Sequence, residues 1–119
     1  PTASSSMLRE TQVGSAHFVL ESGNAIVFPP KTELTIGRAD KLSQEIPDID
    51  LAPHGGMALG VSRLHARLHR RGSAWVVEDA GSSNGTFLNG RRISAGEETL
   101  LREDDRLRCG QLVLTFRST

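Results

Sequence analysis

Tyrosine is absent, and aromatic residues make up only 4% of the 119 residues. Trp75 and four phenylalanines are the whole supply of flat apolar rings. That is thin for the stacking platforms on which single-stranded nucleic acid is usually held. Cysteine is nearly absent too. Cys109, being alone, closes no internal disulfide and builds no cysteine zinc site, and a reducing, cytoplasmic setting fits. There is no net charge, with 14 Lys and Arg against 14 Asp and Glu. This argues against a bulk electrostatic grip on nucleic acid and leaves room only for a local basic patch. No apolar run approaches the ~18 residues of a membrane helix, and no export-signal pattern opens the chain. The first residue is Pro1 rather than methionine, as in a domain cut from something longer. At this length one domain with a single core is expected.

What the sequence does have is turns. Residues 79–90 read Asp-Ala-Gly-Ser-Ser-Asn-Gly-Thr-Phe-Leu-Asn-Gly. Asn84-Gly85 and Asn89-Gly90 are strong two-residue turn signals. Around them the chain breaks into short apolar runs. Residues 16–21 and 25–28 form a hairpin about Ser22-Gly23-Asn24, with Phe18, Val19 and Leu20 set against His17 and Glu21; Pro29-Pro30 ends it. Residues 33–36 and 49–51 are further strands, separated by a polar stretch, 41–47, with room for one helical turn. The loop 52–60 carries Pro53 and three glycines and reads as long and flexible, with Met57 and Leu59 as anchors. Segment 62–71 has a helical alternative, because Ser62 is a good cap and Leu64 and Leu68 are four apart. Strict alternation of Leu64, Ala66 and Leu68, and turns on both sides, favour a strand over 65–70. Residues 74–79, 87–88, 91–93, 99–101, 106–109 and 112–116 complete about eleven strands with no confident helix. The fold class is an all-β sandwich or barrel. Residues 1–15, rich in Ser and Thr, read as a tail or linker before a domain at 16–119.

Catalytic signals are missing. No nucleophile elbow occurs, and His17, His54, His65 and His69 match no zinc spacing, so neither a metal nor a cofactor is expected. Arg63, Arg67, Arg70, Arg71, Arg91 and Arg92 form a basic grouping, read first as solvated strand faces. Anion recognition is better supported. Arg38 follows a strand-ending glycine, Ser62-Arg63 follows a glycine-rich loop, and Ser82-Ser83-Asn84 lies in the turn-rich stretch. One arginine, several hydroxyls and free backbone N–H groups are what a phosphate oxyanion needs.

In this order, Gly37-Arg38, Ser62-Arg63-Leu64-His65 and Gly81-Ser82-Ser83-Asn84-Gly85-Thr86-Phe87 followed by Asn89-Gly90 resemble the forkhead-associated (FHA) domain. The resemblance covers roughly 16–116. It implies an eleven-stranded, antiparallel-rich β-sandwich with its ligand loops at one end. It also implies a non-catalytic module that binds phosphothreonine in a partner protein or peptide, downstream of a Ser/Thr kinase. By the same resemblance, Arg38, Ser62, Arg63 and Ser83 contact phosphate and Asn84 holds the peptide main chain. Gly37, His65, Gly85, Asn89 and Gly90 are architectural. Ser83 stands where threonine is frequent in the family; the hydroxyl is kept. Two alternatives remain at this stage: a scaffold indifferent to phosphate, and nucleic-acid binding through the arginines. Thr2 or Thr11, if phosphorylated, would offer the domain a ligand of its own.

Overall fold

The computed structural model describes residues 16–119. The tail and its Thr2 and Thr11 lie outside the described residues. Eleven strands follow in order: β1 (His17–Leu20), β2 (Ala25–Val27), β3 (Glu33–Gly37), β4 (Ile49–Asp50), β5 (Leu64–Arg71), β6 (Ala74–Asp79), β7 (Thr86–Leu88), β8 (Arg91–Ile93), β9 (Thr99–Leu101), β10 (Arg106–Cys109) and β11 (Leu112–Arg117). They form a six-stranded sheet, β2-β1-β11-β10-β7-β8, and a five-stranded sheet, β4-β3-β5-β6-β9. Among the described residues β3 and β4 pair in parallel and the other strand pairs are antiparallel, with one isolated parallel bridge between Asp79 and Ala95. The expected all-β sandwich is the observed fold.

Period-two alternation builds the core between the sheets. β11 turns Leu112, Leu114 and Phe116 inward, and β6 turns in Trp75 and Val77. Phe18 packs edge-on against Phe28 at 4.9 Å between ring centres, and Phe28 against Trp75 at 5.2 Å. Wholly buried Leu and Ile side chains such as Leu34, Ile36, Leu68 and Leu107 each contribute about 1.5–3 kcal/mol. Cys109 lies among them, and burial, followed by the charge of Asp79, pushes its thiol up to about 12.

Four local expectations are corrected. Val19 does not share a face with Phe18 and Leu20; strand period puts it with His17 on the half-exposed side. Leu64 is 38% exposed although Ala66 and Leu68 are buried. The β3–β5 ladder shifts register between Ile36 and Gly37, so Leu64 pairs with Gly37 while Ala66 pairs with Ile36. His65 is the extra residue of this bulge and turns inward. Residues 41–47 make no helical turn. The Asp40 carboxylate instead accepts the Leu42 and Ser43 N–H groups, bending the chain as an Asx turn. The glycine-rich loop contains a short 3₁₀ helix, Ala52–His54, and folds on itself: Gly56 N–H donates to Leu51 O and Val61 N–H to Gly56 O. Its anchors are Leu51, Gly56 and Val61, all buried, whereas Met57 is 76% exposed.

Candidate functional site

Three loops meet at one end of the sandwich. Gly37 closes β3 against the Ser62-Arg63 backbone. A Cβ there would run into the Arg63 carbonyl oxygen and stand 2.7 Å from its carbon, so glycine is required by close approach. The same contact carries a hydrogen bond from Arg38 N–H to Arg63 O (3.1 Å), and Arg38 Nε donates to Val61 O at 2.6 Å. Arg38 is thereby oriented by the loop it flanks.

His65 ties the second loop to the third. Ser62 N–H donates to His65 Nδ1 (3.0 Å), which fixes the ring proton on Nε2, and Nε2–H donates to Gly85 O (2.9 Å). Burial lowers the histidine's pKa, only partly opposed by the Gly85 carbonyl and the Asp79 charge. The ring is therefore held neutral, the form this pair of bonds needs. Ser83 N–H donates to Ser62 Oγ (3.1 Å), leaving both hydroxyl hydrogens available outward. Asn84 is exposed; its Nδ2 donates to Gly60 O (2.9 Å). Gly85, at φ +90°, has the Arg92 Nε and the Phe87 ring each 3.1 Å from a would-be Cβ.

Asn89 and Gly90 stand apart, at the other end of β7. With φ of +49° and +86° they make the hairpin turn to β8. Asn89 also bridges to the start of β10, donating to Asp105 Oδ1 and accepting from Arg106 N–H, both at 2.9 Å. Thus the chain brings together Arg38, Ser62, Arg63, Ser83 and Asn84 with Gly37, His65 and Gly85, but not Asn89-Gly90.

Sequence reasoning missed three residues here. Asp79 is buried and organises the third loop. Its Oδ1 accepts the Ser82 and Thr86 hydroxyls (2.5 and 2.7 Å), and its Oδ2 accepts the Gly81 and Ser82 N–H groups (2.9 and 3.1 Å). Burial alone would raise its pKa, but these four bonds hold it below the usual carboxylate range. Ser82 faces inward onto Asp79 and accepts from Gly85 N–H. An Asp two residues before a glycine was the available signal. Gly60, at φ +82°, leaves room for Asn84, whose Nδ2 lies 2.7 Å from a would-be Cβ. Asp40 had no signal: its Oδ2 pairs closely with Arg63 Nε and lies 3.7 Å from Arg38 Nη1. A carboxylate oxygen thus lies between the two arginines that the family resemblance assigns to phosphate.

A second titratable cluster lies on the five-stranded sheet. Atoms of His69, Glu78 and Glu98 fall within 4.8 Å of one another, the spacing of a metal set. Arg71 already binds Glu98 (2.6 Å), and both His69 ring nitrogens face carboxylates, Glu33 at 3.3 Å and Glu78 at 3.1 Å. These groups already satisfy one another, through the Arg71–Glu98 ion pair and the His69 hydrogen bonds. The arginine grouping is divided: Arg63, Arg67, Arg70 and Arg71 lie near or on β5, Arg91 and Arg92 on β8 of the other sheet. Trp75, Phe18, Phe28 and Phe116 are buried, so none of them presents a face to bases.

Two stacked sheets with polar loops gathered at one end define a β-sandwich recognition module. The FHA domain model matches residues 34–110, and the chain belongs to that family of phosphopeptide-binding modules. Protein FraH of Nostoc sp. is 31% identical over 112 residues, 93% of this chain and 37% of that protein. FhaB of Mycolicibacterium smegmatis is 34% identical over 86 residues, 72% of this chain and 52% of that protein. The chain therefore spans only about a third to a half of these relatives. Among solved structures, a chain from a structural and functional analysis of phosphothreonine-dependent FHA domain interactions aligns with TM-score 0.67 and 25% identity, covering 87% of this chain and 95% of that one. The FhaA FHA domain, complexed with the intracellular domain of a second protein, aligns with TM-score 0.66 and 25% identity, covering 87% and 100%. Among the described residues, no helix is long and apolar enough to cross a membrane.

Proposed function

We propose that this chain is a non-catalytic reader of phosphothreonine in partner proteins, assembling them after a Ser/Thr kinase has acted. The observation that carries the reading is the bonded unit of three loops. Arg38, Ser62, Arg63 and Ser83 present cations and hydroxyls on one surface, and Asn84 stands at its edge. A phosphomonoester brings about −1.5 to −2 charges and three acceptor oxygens. Arg38 and Arg63 match the charge; the Ser62 and Ser83 hydroxyls match the oxygens. Asn84 Oδ1 and the second Nδ2 hydrogen are left for the peptide main chain, one Nδ2 hydrogen being given to Gly60 O. Gly37, His65 and Gly85 keep the loops in register, and Asn89-Gly90 steadies the hairpin below. Both ring nitrogens of His65 are engaged, so this histidine serves as a tie between loops. The preference for threonine rests on the family and on the phosphothreonine-dependent neighbour.

The test is a phosphothreonine peptide library read against unphosphorylated and phosphoserine copies. Arg38→Ala and Ser62→Ala should each weaken binding about tenfold or more, as for loss of a charge-assisted hydrogen bond, with the fold intact by circular dichroism. Equal capture of phosphorylated and unphosphorylated copies would overturn the reading and favour a phosphate-indifferent scaffold.

A further inference from the structure

The outer face of the six-stranded sheet carries a basic ladder that abuts the third loop at Gly85 and runs from there across the sheet to Arg106. β8, β7 and β10 are neighbours, and the register sets Arg92, Phe87 and Arg108 side by side. The Arg108 guanidinium lies over the Phe87 ring, 3.9 Å from its centre, and that of Arg92 lies 5.9 Å away. Arg106, two residues along β10, points to the same face. Beside it is a shallow cavity of about 660 Å³, walled by Arg106, Arg108, Asn89, Val113 and Thr115, with Glu21 among its lining residues. Arg63, Arg71, Arg91 and Arg117 each pair with a carboxylate. Among the described residues Arg92, Arg106 and Arg108 have no such partner. On a chain with no net charge, this is a local surplus of positive charge.

We propose that this face is a second docking surface, for an extended acidic segment of a partner protein, and that it works independently of phosphate. Arg106 and Arg108 are two apart on one strand, so their heads repeat at roughly 7 Å. An extended chain with a carboxylate at every second residue has the same repeat. Guanidinium forks bind carboxylates through paired hydrogen bonds; Arg106 is exposed, and Arg108, fixed by the Phe87 ring and by its Nη1 bond to Gly110 O at 2.6 Å, keeps its other N–H groups for a ligand. Nucleic acid fits less well. Phe87, the half-buried ring of this face, is covered by the Arg108 guanidinium and gives bases nothing to stack on.

The experiment is an NMR titration of the chain with an unphosphorylated peptide of alternating Glu and Ala. Three parallel arms use a Lys-Ala copy, an oligothymidine and a phosphothreonine peptide. The acidic peptide is expected to shift the amides of Arg106, Arg108, Val113 and Thr115, and Arg106→Glu to weaken it about tenfold or more. Phosphothreonine-peptide binding should stay within about twofold in Arg106→Glu, because Arg106 touches none of the three loops. If that peptide fails to bind the native chain, the phosphate reading fails alone. The docking proposal is overturned if the acidic peptide moves no amides on this face, if Arg106→Glu leaves its affinity unchanged, or if oligothymidine moves the same amides more strongly.

Discussion

Removing the Asp79 carboxylate should unmake the third loop, and the size of the effect follows from the four donors it accepts. Two come from backbone N–H groups of Gly81 and Ser82, which lie near solvent and can turn to water. The other two are hydroxyls, and that of Thr86 belongs to a wholly buried residue. In Asp79→Ala, the orphaned Thr86 hydroxyl costs about 1–3 kcal/mol, and loss of the charged bond from Ser82 adds about 1.5–3. The expected total is about 2.5–6 kcal/mol, a large part of the ~5–15 kcal/mol that holds a domain of this size. Asp79→Asn behaves differently. An amide can turn its oxygen to the backbone N–H groups and its NH₂ to the hydroxyls, which rotate to accept. The charge is lost and the buried Thr86 hydroxyl hydrogen loses its acceptor, at about 1–3 kcal/mol, less than for the alanine variant. Urea unfolding followed by the fluorescence of Trp75, the one tryptophan and a core residue, measures both variants. Equal costs for the two, or a cost under about 1 kcal/mol for Asp79→Ala, would refute the assignment of Asp79 as organiser of the loop.

Gly37→Ala should destabilise the domain by about 2 kcal/mol or more, because backbone meets backbone and neither side can yield; a thermal melt reads this as a fall of roughly 8 °C or more. His65 has a folded-state pKa below its ordinary 6.5, so the unfolded chain binds the extra proton first. Its contribution to stability is complete above about pH 6.5 and declines as pH falls toward the folded value; denaturation midpoints at pH 7.5 and 5.5 should show it, and His65→Gln should flatten the difference. Asp40→Asn keeps the acceptor for the Leu42 and Ser43 N–H groups but removes the charge between Arg38 and Arg63. Phosphopeptide affinity by calorimetry should rise about two- to tenfold at low salt; a fall would mean that Asp40 positions the arginines instead of competing with the ligand.

The strands were legible in the sequence because alternation and turns are local. Residues 74–79 and 112–117 alternate so regularly that burial follows from the side-chain period alone. The departures have non-local causes. Leu64 lies on the surface because of a bulge that depends on the partner strand, and no pattern within 62–71 reveals it. The loop 52–60 reads as slack from its glycines, yet hydrogen bonds to itself fold it, and Gln111 N–H donates to Leu59 O from a distant turn.

For the site, residue identities come from the sequence and their meeting comes from the fold. The turn-rich stretch 79–90, the glycine before Arg38 and the Ser62-Arg63 pair are read directly, because backbone conformation and hydrogen-bonding chemistry belong to the residues themselves. That His65 joins the second loop to the third, that Gly37 lets the first touch the second, and that Asp40 lies between two arginines are facts of distance. So is the Arg92–Phe87–Arg108 ladder, whose three members come from three strands. Side chains far apart along the chain become neighbours only through strand register and sheet order, and those are settled by packing the whole core.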